Sequence, residues 1–567
     1  MLGNLRISRE LQEDANINDG SIHQSAPQPS SVTAACAATQ HPDSCSDTLK
    51  NSTHSDAKIY TSTTVAAASS GIEETRLSVK NSETPENAPA VEVCEDTLNS
   101  ALAVLEAVLE ELKTVDAASF DEIKTRVTAA MEFHTTCMDA LEEVGGPIST
   151  SVQLSTERAK QLFSVALSFV NAYASFGNDF LAWAKSSGLD LTQFNLHRRR
   201  LFPLTALHGP TAPPAPNQAC KRHYKVTVAW NGSGDFKTIT EAVNKAPTKS
   251  ETLYVMYIKA GTYNEQVILK TSHFNIMFLG DGATQTIITG RLIVASGVTA
   301  YKSATLIVEG QGILAKGIQV CNTAGSKGRQ AVAMRVSADQ AAFYQCTFDG
   351  YPDTLYVHNH RQFYRDCTVL GTIDFIFGNA AAAIQNCRIT AKKSTMEGQT
   401  NVYTAQGKMD RGSELHIPEL HIQCNSFQSC TFDATSELPK SYKTYKTFLG
   451  RPWKEYFTTV LLRSKIRAHV DPKGWMPWNA SDYRLETSFF AEFESKGPGA
   501  LPNSGVPWLK QIKTLKEANR YQANKFIQGH TWVPLTKFPY PSAPLKYTSD
   551  FKPLSLIPFS SDRSPDE

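Results

Sequence analysis

Residues 342–387 read AFYQCTFDGYPDTLYVHNHRQFYRDCTVLGTIDFIFGNAAAAIQNC. Three short runs in this stretch end alike: AFYQC at Cys346, QFYRDC at Cys367 and AIQNC at Cys387, spaced by 21 and 20 residues. A fourth, FQSC, ends at Cys430 after a longer excursion. Similar side chains returning every twenty or so residues are what stacked solenoid coils require, because each coil covers the open face of the one before it. Beyond Tyr224 the chain runs in short Val-, Ile-, Tyr- and Phe-rich pieces broken by Gly, Asn and Asp, the pattern of strands and turns. A doubly wound α/β sheet would need helical crossovers, and this part of the chain holds none of the right length. The period predicts a right-handed parallel β-helix over roughly residues 225–540.

Upstream the periodicity changes. Cys94, Leu98, Leu102, Leu105, Leu109 and Leu112 recur at three- and four-residue steps, one face of an amphipathic helix. Phe120, Ile123, Val127, Met131 and Met138 predict a second, with Ser119 as N-cap and Glu122 three residues on. Leu162, Phe163, Ala166, Phe169, Val170 and Tyr173 predict a third, and Gly145-Gly146-Pro147 breaks the chain between them. These stripes are core-packing faces, so the first part reads as an all-α, four-helix-bundle domain. Residues 198–219 hold five prolines behind Arg198-Arg199-Arg200, the composition of a linker whose basic cluster fits either a solvated charge run or a processing site. The expected organisation is a structureless 1–32, a helical bundle over 33–185, a linker over 186–220, the β-helix over 221–540 and an extension over 541–567.

Composition narrows the function. With 41% hydrophobic and 20% charged residues among 567, the chain can bury a large core. Its net charge of +1 gives no reason to expect a nucleic-acid partner. No run of 18 apolar residues exists to span a membrane, and the first twenty residues contain no signal-peptide core. The eleven cysteines are an odd number, so one at least stays unpaired. Phosphate-binding loops, His-Glu-x-x-His, paired Cys-x-x-Cys and Gly-x-Ser-x-Gly are all missing.

Carboxylates in unusual company remain. Asp353 in GYPDTLYVH and Asp374 in GTIDFIFGNA stand 21 residues apart, so a solenoid of that period stacks them on adjacent coils. Asp374 is hemmed by Ile373, Phe375, Ile376 and Phe377, a setting that penalises an unpartnered charge. Arg451 in LGRPW is the candidate partner. Two ordinary turn aspartates would also fit these residues taken alone.

They do not stand alone. GDFKTITEAV (234–243), KAGTYNE (259–265), NTAG (322–325), QAVAMRV (330–336), DTLYVHNHRQFYRDC (353–367), GTIDFIFGNAA (371–381), TAQG (404–407), LGRPWKEY (449–456) and FIQG (526–529) closely resemble plant pectinesterases, in order and spacing. Cys36, Cys45, Cys94 and Cys137, with the helical periodicity, resemble the pectinesterase-inhibitor domain fused ahead of many members. The resemblance implies an esterase acting on pectin, with Asp374 as nucleophile, Asp353 as general acid and base, and Gln330 as oxyanion donor. It further implies that Arg451 orients Asp374, that Trp453 is a sugar platform, and that no metal or organic cofactor is needed. Its other implications are Cys36–Cys45 and Cys94–Cys137 disulfides, an intramolecular inhibitor-like domain, a processing protease and a secreted, cell-wall location. Cys321–Cys346 and Cys387–Cys430 are the expected pairs inside the β-helix.

Departures from the family pattern motivate an alternative. The residue before the acid aspartate, a Gln in the family, is Pro352, which has no donor; a family Thr is Ala300; and an extra Cys424 stands in an insertion between Asp410 and Cys430. A catalytically weakened pectin-binding or regulatory homologue is therefore the second reading. A pectate lyase would show calcium-binding acidic clusters and a polygalacturonase three catalytic carboxylates, and neither pattern occurs.

Overall fold

The computed structural model describes residues 31–177 except 53–55, 115–119 and 146–149, then 179 and 183. It also describes 225–546 except 395, 397, 410–423, 439–444, 480–482, 501–504 and 542. The 1–32 segment (save its last two residues), the whole 186–220 linker with Arg198–Arg200, the Ser119 cap, the Gly146-Pro147 break, most of the insertion before Cys430 and most of the C-terminal extension lie outside the described residues.

The first part is helical: α1 (Ser31–Ala37), α2 (Pro42–Leu49), α3 (Ala57–Asn81), α4 (Ala88–Thr114), α5 (Phe120–Val144) and α6 (Thr150–Phe176). The four long helices form the bundle, α3 against α4 and α6, α5 against α4 and α6. Leu98, Leu105, Ile123, Val127, Phe163 and Val170 are fully buried between them, as their spacing predicts. Disulfides Cys36–Cys45 and Cys94–Cys137 join α1 to α2 and α4 to α5. Asp56 caps α3, accepting from the Lys58 N–H at 2.7 Å and the Ile59 N–H at 3.4 Å.

From Val226 onward the chain coils through three parallel sheets of 11, 7 and 8 strands among the described residues. Each coil contributes one strand to each sheet, as in Gln362↔Ala341, Thr368↔Thr347 and Leu355↔Met334. Between the 11- and 8-stranded sheets the chain turns on one left-handed residue per coil: Gln345, Asp366, Asn386, Ser429, Arg463 and Glu494, all with φ of 50–55°. Asp and Asn accept that conformation readily, and Asn386 donates to Asp366 at 2.5 Å on the neighbouring coil. The others are held there by in-register strands on both sides, tertiary context overriding local preference.

The next residue at each corner is the repeating cysteine. Cys346, Cys367, Cys387 and Cys430 stack inward on successive coils, at most 2% exposed, and Ser464 continues the column. They are free thiols, as is Cys321, so the expected Cys321–Cys346 and Cys387–Cys430 bonds are not formed. Cys321 pairs in register with Asp349, three residues past Cys346, and so sits along the sheet instead of at the corner. The Cys387 and Cys430 thiols instead donate to main-chain carbonyls, at 3.2 Å to Gln385 and 3.2 Å to Ile384.

The coil interior carries its own core, from Val228 and Ile258 through Phe348, Val369 and Ile389 to Phe490. Beyond it the chain departs from the expected solenoid. Short helices at Leu515–Ala518, Ala523–Phe526 and Gly529–Trp532 cover the outer face of the 11-stranded sheet, burying Ile527, Trp532 and Val533 against Ala342, Phe363 and Leu462. The extra Cys424 is buried in that outer cluster.

The 7-stranded sheet positions the site. Alternation along its strands sends Met334, Val336, Leu355, Val357 and Ile376 inward. Ile307, Arg335, Tyr356, Phe377 and Ala405 stack outward in register on adjacent strands. That outward row does not face open solvent. It joins the apolar cluster of the helical bundle, which lies against this face through α5.

Candidate active site

Asp353 and Asp374 each stand two residues before a strand of the 7-stranded sheet, and Leu355 pairs with Ile376 in register, so the two carboxylates occupy equivalent places on adjacent coils. Both have left-handed backbones, φ 63° and 49°, a conformation Asp and Asn tolerate better than most side chains. The Asp353 N–H donates to the Ile373 carbonyl at 3.0 Å, tying the two corners together. Both line one cavity of about 610 Å³, along with Gln330, Pro352, Tyr356, Phe377, Arg451 and Trp453.

The two carboxylates are not equivalent. Arg451 Nε donates to Asp374 Oδ1 at 2.9 Å and Nη2 to Oδ2 at 2.5 Å, a two-point grip on one aspartate only. Burial pushes the Asp374 carboxyl up from its ordinary range, and Arg451 opposes that push. Burial drives Asp353 well above the ordinary range, the Asp374 charge drives it further, and it has no hydrogen-bonded cation of its own. Of the two, Asp353 is therefore the one that favours a proton, and Asp374, with Arg451 beside it, the one that favours the charge. Arg451 is itself fixed by the Trp478 ring, 4.1 Å from its guanidinium carbon.

Around the carboxylates the wall is aromatic. Tyr356 and Phe377 stack at 4.2 Å, and Trp453 meets both edge-on, at 6.5 Å and 5.9 Å. Gly407 makes room for Trp453: a Cβ there would lie 2.7 Å from the indole. Gln330 also lines the cavity, and its Oε1 is buried without a partner. Pro352, also buried, presents only a carbonyl, which accepts from the Ala331 N–H at 3.4 Å.

The cavity is roofed by the bundle. Thr136, Asp139, Ala140, Glu142 and Glu143 of α5 complete its lining. Thr136 Oγ1 lies 2.7 Å from His358 Nε2, and Glu132 Oε2 accepts from Asn379 Nδ2 at 2.8 Å. Glu143 accepts from the Ala300 N–H at 3.1 Å, Glu122 pairs with Arg361 at 2.8 Å, and Asp139 pairs with Lys454. Sequence reasoning placed Asp353, Asp374, Gln330, Arg451 and Trp453, and all five border this cavity. It gave no role to Tyr356, Phe377 or Lys454. The first two had a signal: each follows an aspartate of the pair by three residues. No feature of the sequence indicated that α5 would roof the cavity.

Comparison with known proteins agrees with this architecture. The family model described as Pectinesterase matches residues 225–530, and that described as Plant invertase/pectin methylesterase inhibitor matches residues 30–169. The probable pectinesterase/pectinesterase inhibitor 58 of Arabidopsis thaliana is 37% identical, the match covering 74% of this chain and 72% of the relative. Pectinesterase 2 of Citrus sinensis is 38% identical over 74% of this chain and 75% of its own. The solved pectin methylesterase from carrot is 42% identical with a TM-score of 0.54, and the match takes in 57% of this chain and 99% of the carrot chain. The coiled sheets with their paired aspartates, preceded by an inhibitor-like helical bundle, place the chain in the pectinesterase family.

Proposed function

We propose that this protein hydrolyses the methyl esters of galacturonate in pectin, releasing methanol, as a secreted enzyme of the plant cell wall. The observation that carries the reading is the unequal aspartate pair, one gripped by Arg451 and the other pushed toward its protonated form. The Asp374 carboxylate attacks the ester carbonyl, and the carbonyl oxygen takes up the negative charge. Gln330 donates to that oxyanion. Collapse expels methanol with the Asp353 proton and leaves an anhydride between substrate and Asp374. Asp353, now ionised, takes one proton from water, which attacks the anhydride and frees the Asp374 carboxylate and the galacturonic acid, whose own proton then passes to solvent. Arg451 keeps Asp374 charged and aimed, and Trp453 offers its face to a sugar ring. Methanol release from esterified pectin by purified protein tests the reading; none from either the whole chain or the separated β-helix would overturn it.

Pro352 is the place to look for unused rate. It stands where an amide donor to the oxyanion would stand, and one such donor is worth roughly 10²-fold in kcat. Pro352→Gln is expected to raise kcat toward that factor and to leave KM within about twofold, because the contact belongs to the transition state. An unchanged or lower kcat would mean that a water or main-chain N–H already fills the role.

The whole chain is the covered form in this reading, with the bundle as an intramolecular inhibitor over the cavity. A cut at Arg198–Arg200, within the 186–220 linker between the helical and coiled domains, would free the β-helix. N-terminal sequencing of protein recovered from cell wall should then begin between residues 199 and 225. Intact chains there would reject processing.

A further inference from the structure

Outside the cavity, the first coil carries a motif that the reaction does not use. Residues 230–235 read WNGSGD, and Asn231-Gly232-Ser233 is an acceptor triplet for N-linked glycosylation. Such triplets arise by chance, so the surroundings decide. This one follows strand Val226–Val228, the outermost of the 11-stranded sheet, and all three of its residues are exposed. Its turn is firmly built. Asn231 Oδ1 accepts from the Ser233 N–H at 3.0 Å, the Gly232 N–H donates to the Ala229 carbonyl at 2.9 Å, and Lys259 Nζ donates to the Ser233 carbonyl at 3.0 Å. Those bonds leave Asn231 Nδ2, the atom a glycan would join, without a partner among the described residues.

Beside it stands a tryptophan whose position the fold does not explain. Trp230 is 59% exposed, whereas the other six tryptophans are buried or half-buried. Its ring is not loose: it lies against the main chain of Gly261, where any Cβ would collide with the indole. A large apolar surface is thus held in water next to an exposed acceptor asparagine, and covering it would be favourable. Trp478-Asn479-Ala480-Ser481 offers the same residue types, but there Arg451 and Arg484 already occupy the indole.

We infer that Asn231 is an N-glycosylation site and that the Trp230 indole is the seat of its first sugar. The inference rests on the secreted part of the proposed function. In the transfer, Asn231 Nδ2 bonds to the anomeric carbon of an N-acetylglucosamine carried on a lipid diphosphate. The bond from that carbon to the phosphate oxygen breaks, the lipid diphosphate leaves with the electron pair, and the amide proton passes to a base of the transferase. The C–H face of the sugar then covers the indole. A glycan at this place shields the open edge of the sheet, whose unpaired main-chain groups would otherwise invite another strand.

The test expresses the full chain in plant cells, once as it stands and once behind an added secretion signal. Mass spectrometry then reads the tryptic peptide 226–237, which contains no other acceptor triplet. In secreted chains most copies should carry a glycan built on N-acetylglucosamine, and Asn231→Gln should lower the mass of the chain by one glycan. Mild oxidation of Trp230, read on the same peptide, should be slower in the wild type than in Asn231→Gln, because the sugar covers the ring. Secretion that needs the added signal, with the glycan present, would support the site while defeating the secreted reading of the chain as it stands. Secreted chains with a bare Asn231 would overturn the inference. A glycan that leaves Trp230 as readily oxidised as in Asn231→Gln would overturn the seat.

Discussion

Replacing Asp374 with Asn should abolish methanol release, by about 10⁴-fold or more in kcat, the scale on which loss of a nucleophile falls. The amide cannot form the acyl intermediate, and it cannot carry the charge that Arg451 is arranged to hold. The substitution is a fair test because the fold should tolerate it. Asn accepts the left-handed backbone of this position, φ 49°, about as well as Asp does. What it costs in stability comes from Arg451, which loses its buried counter-charge, and a thermal melt measures that separately. Asp353→Asn should cost nearly as much, since in the proposed mechanism the same side chain gives a proton to methanol and later takes one from water. The two act as a unit, so the double variant should be little worse than either single one. Substantial activity in Asp374→Asn would show that the nucleophile lies elsewhere.

Much of the β-helix was legible from Cys346, Cys367 and Cys387, because a solenoid coil must return to the same corner and the column of inward side chains records the return. The same period stacked Asp353 over Asp374. Pairing among the cysteines was not legible: spacing says which residues share a column, whereas Cys321 lies three residues off it along the strand. Helix α3 passed unread because in its run AKIYTSTTVAAASSGIEETRLSVKN the buried stripe of Val65, Ala68, Ile72 and Val79 is thin and interrupted by the buried Thr61, Thr64 and Thr75, which read as polar. The three threonines are reconciled with the interior by partners, Thr64 and Thr75 donating to carbonyls one turn back. Placement of α5 over the cavity is a long-range fact. Glu132 and Asp139 look like solvated charges of an amphipathic helix until Asn379 and Lys454 are brought to them from more than two hundred residues away.

The whole chain should release methanol at least about 10²-fold more slowly than the freed β-helix, since activity then tracks the fraction of molecules in which α5 is away from the cavity. Tethering keeps the bundle at high effective concentration, so even modest docking energy gives that ratio. The docked state leans on Asp139–Lys454, and breaking one side of a buried charge pair costs about 2–5 kcal/mol. Asp139→Lys sets ammonium against ammonium and should bring the whole chain close to the rate of the freed β-helix. The ratio should also move with pH. Glu132 is wholly buried at the interface, and burial holds its carboxyl well above the ordinary range although Asn379 donates to it. Burial likewise raises Glu143, against the pull of the Ala300 N–H and Arg329. Carboxyls whose value is higher docked than undocked take up protons on docking. Docking is therefore strongest below the ordinary carboxylate range and weakens as pH rises from there through the docked values. Methanol release by the whole chain, divided by that of the freed β-helix at the same pH, should climb across that window, the division removing the titration of the aspartate pair itself. Glu132→Gln, neutral at every pH, should flatten the climb. A whole chain as fast as its freed β-helix at every pH would mean that the bundle does not inhibit, however closely α5 lies over the cavity.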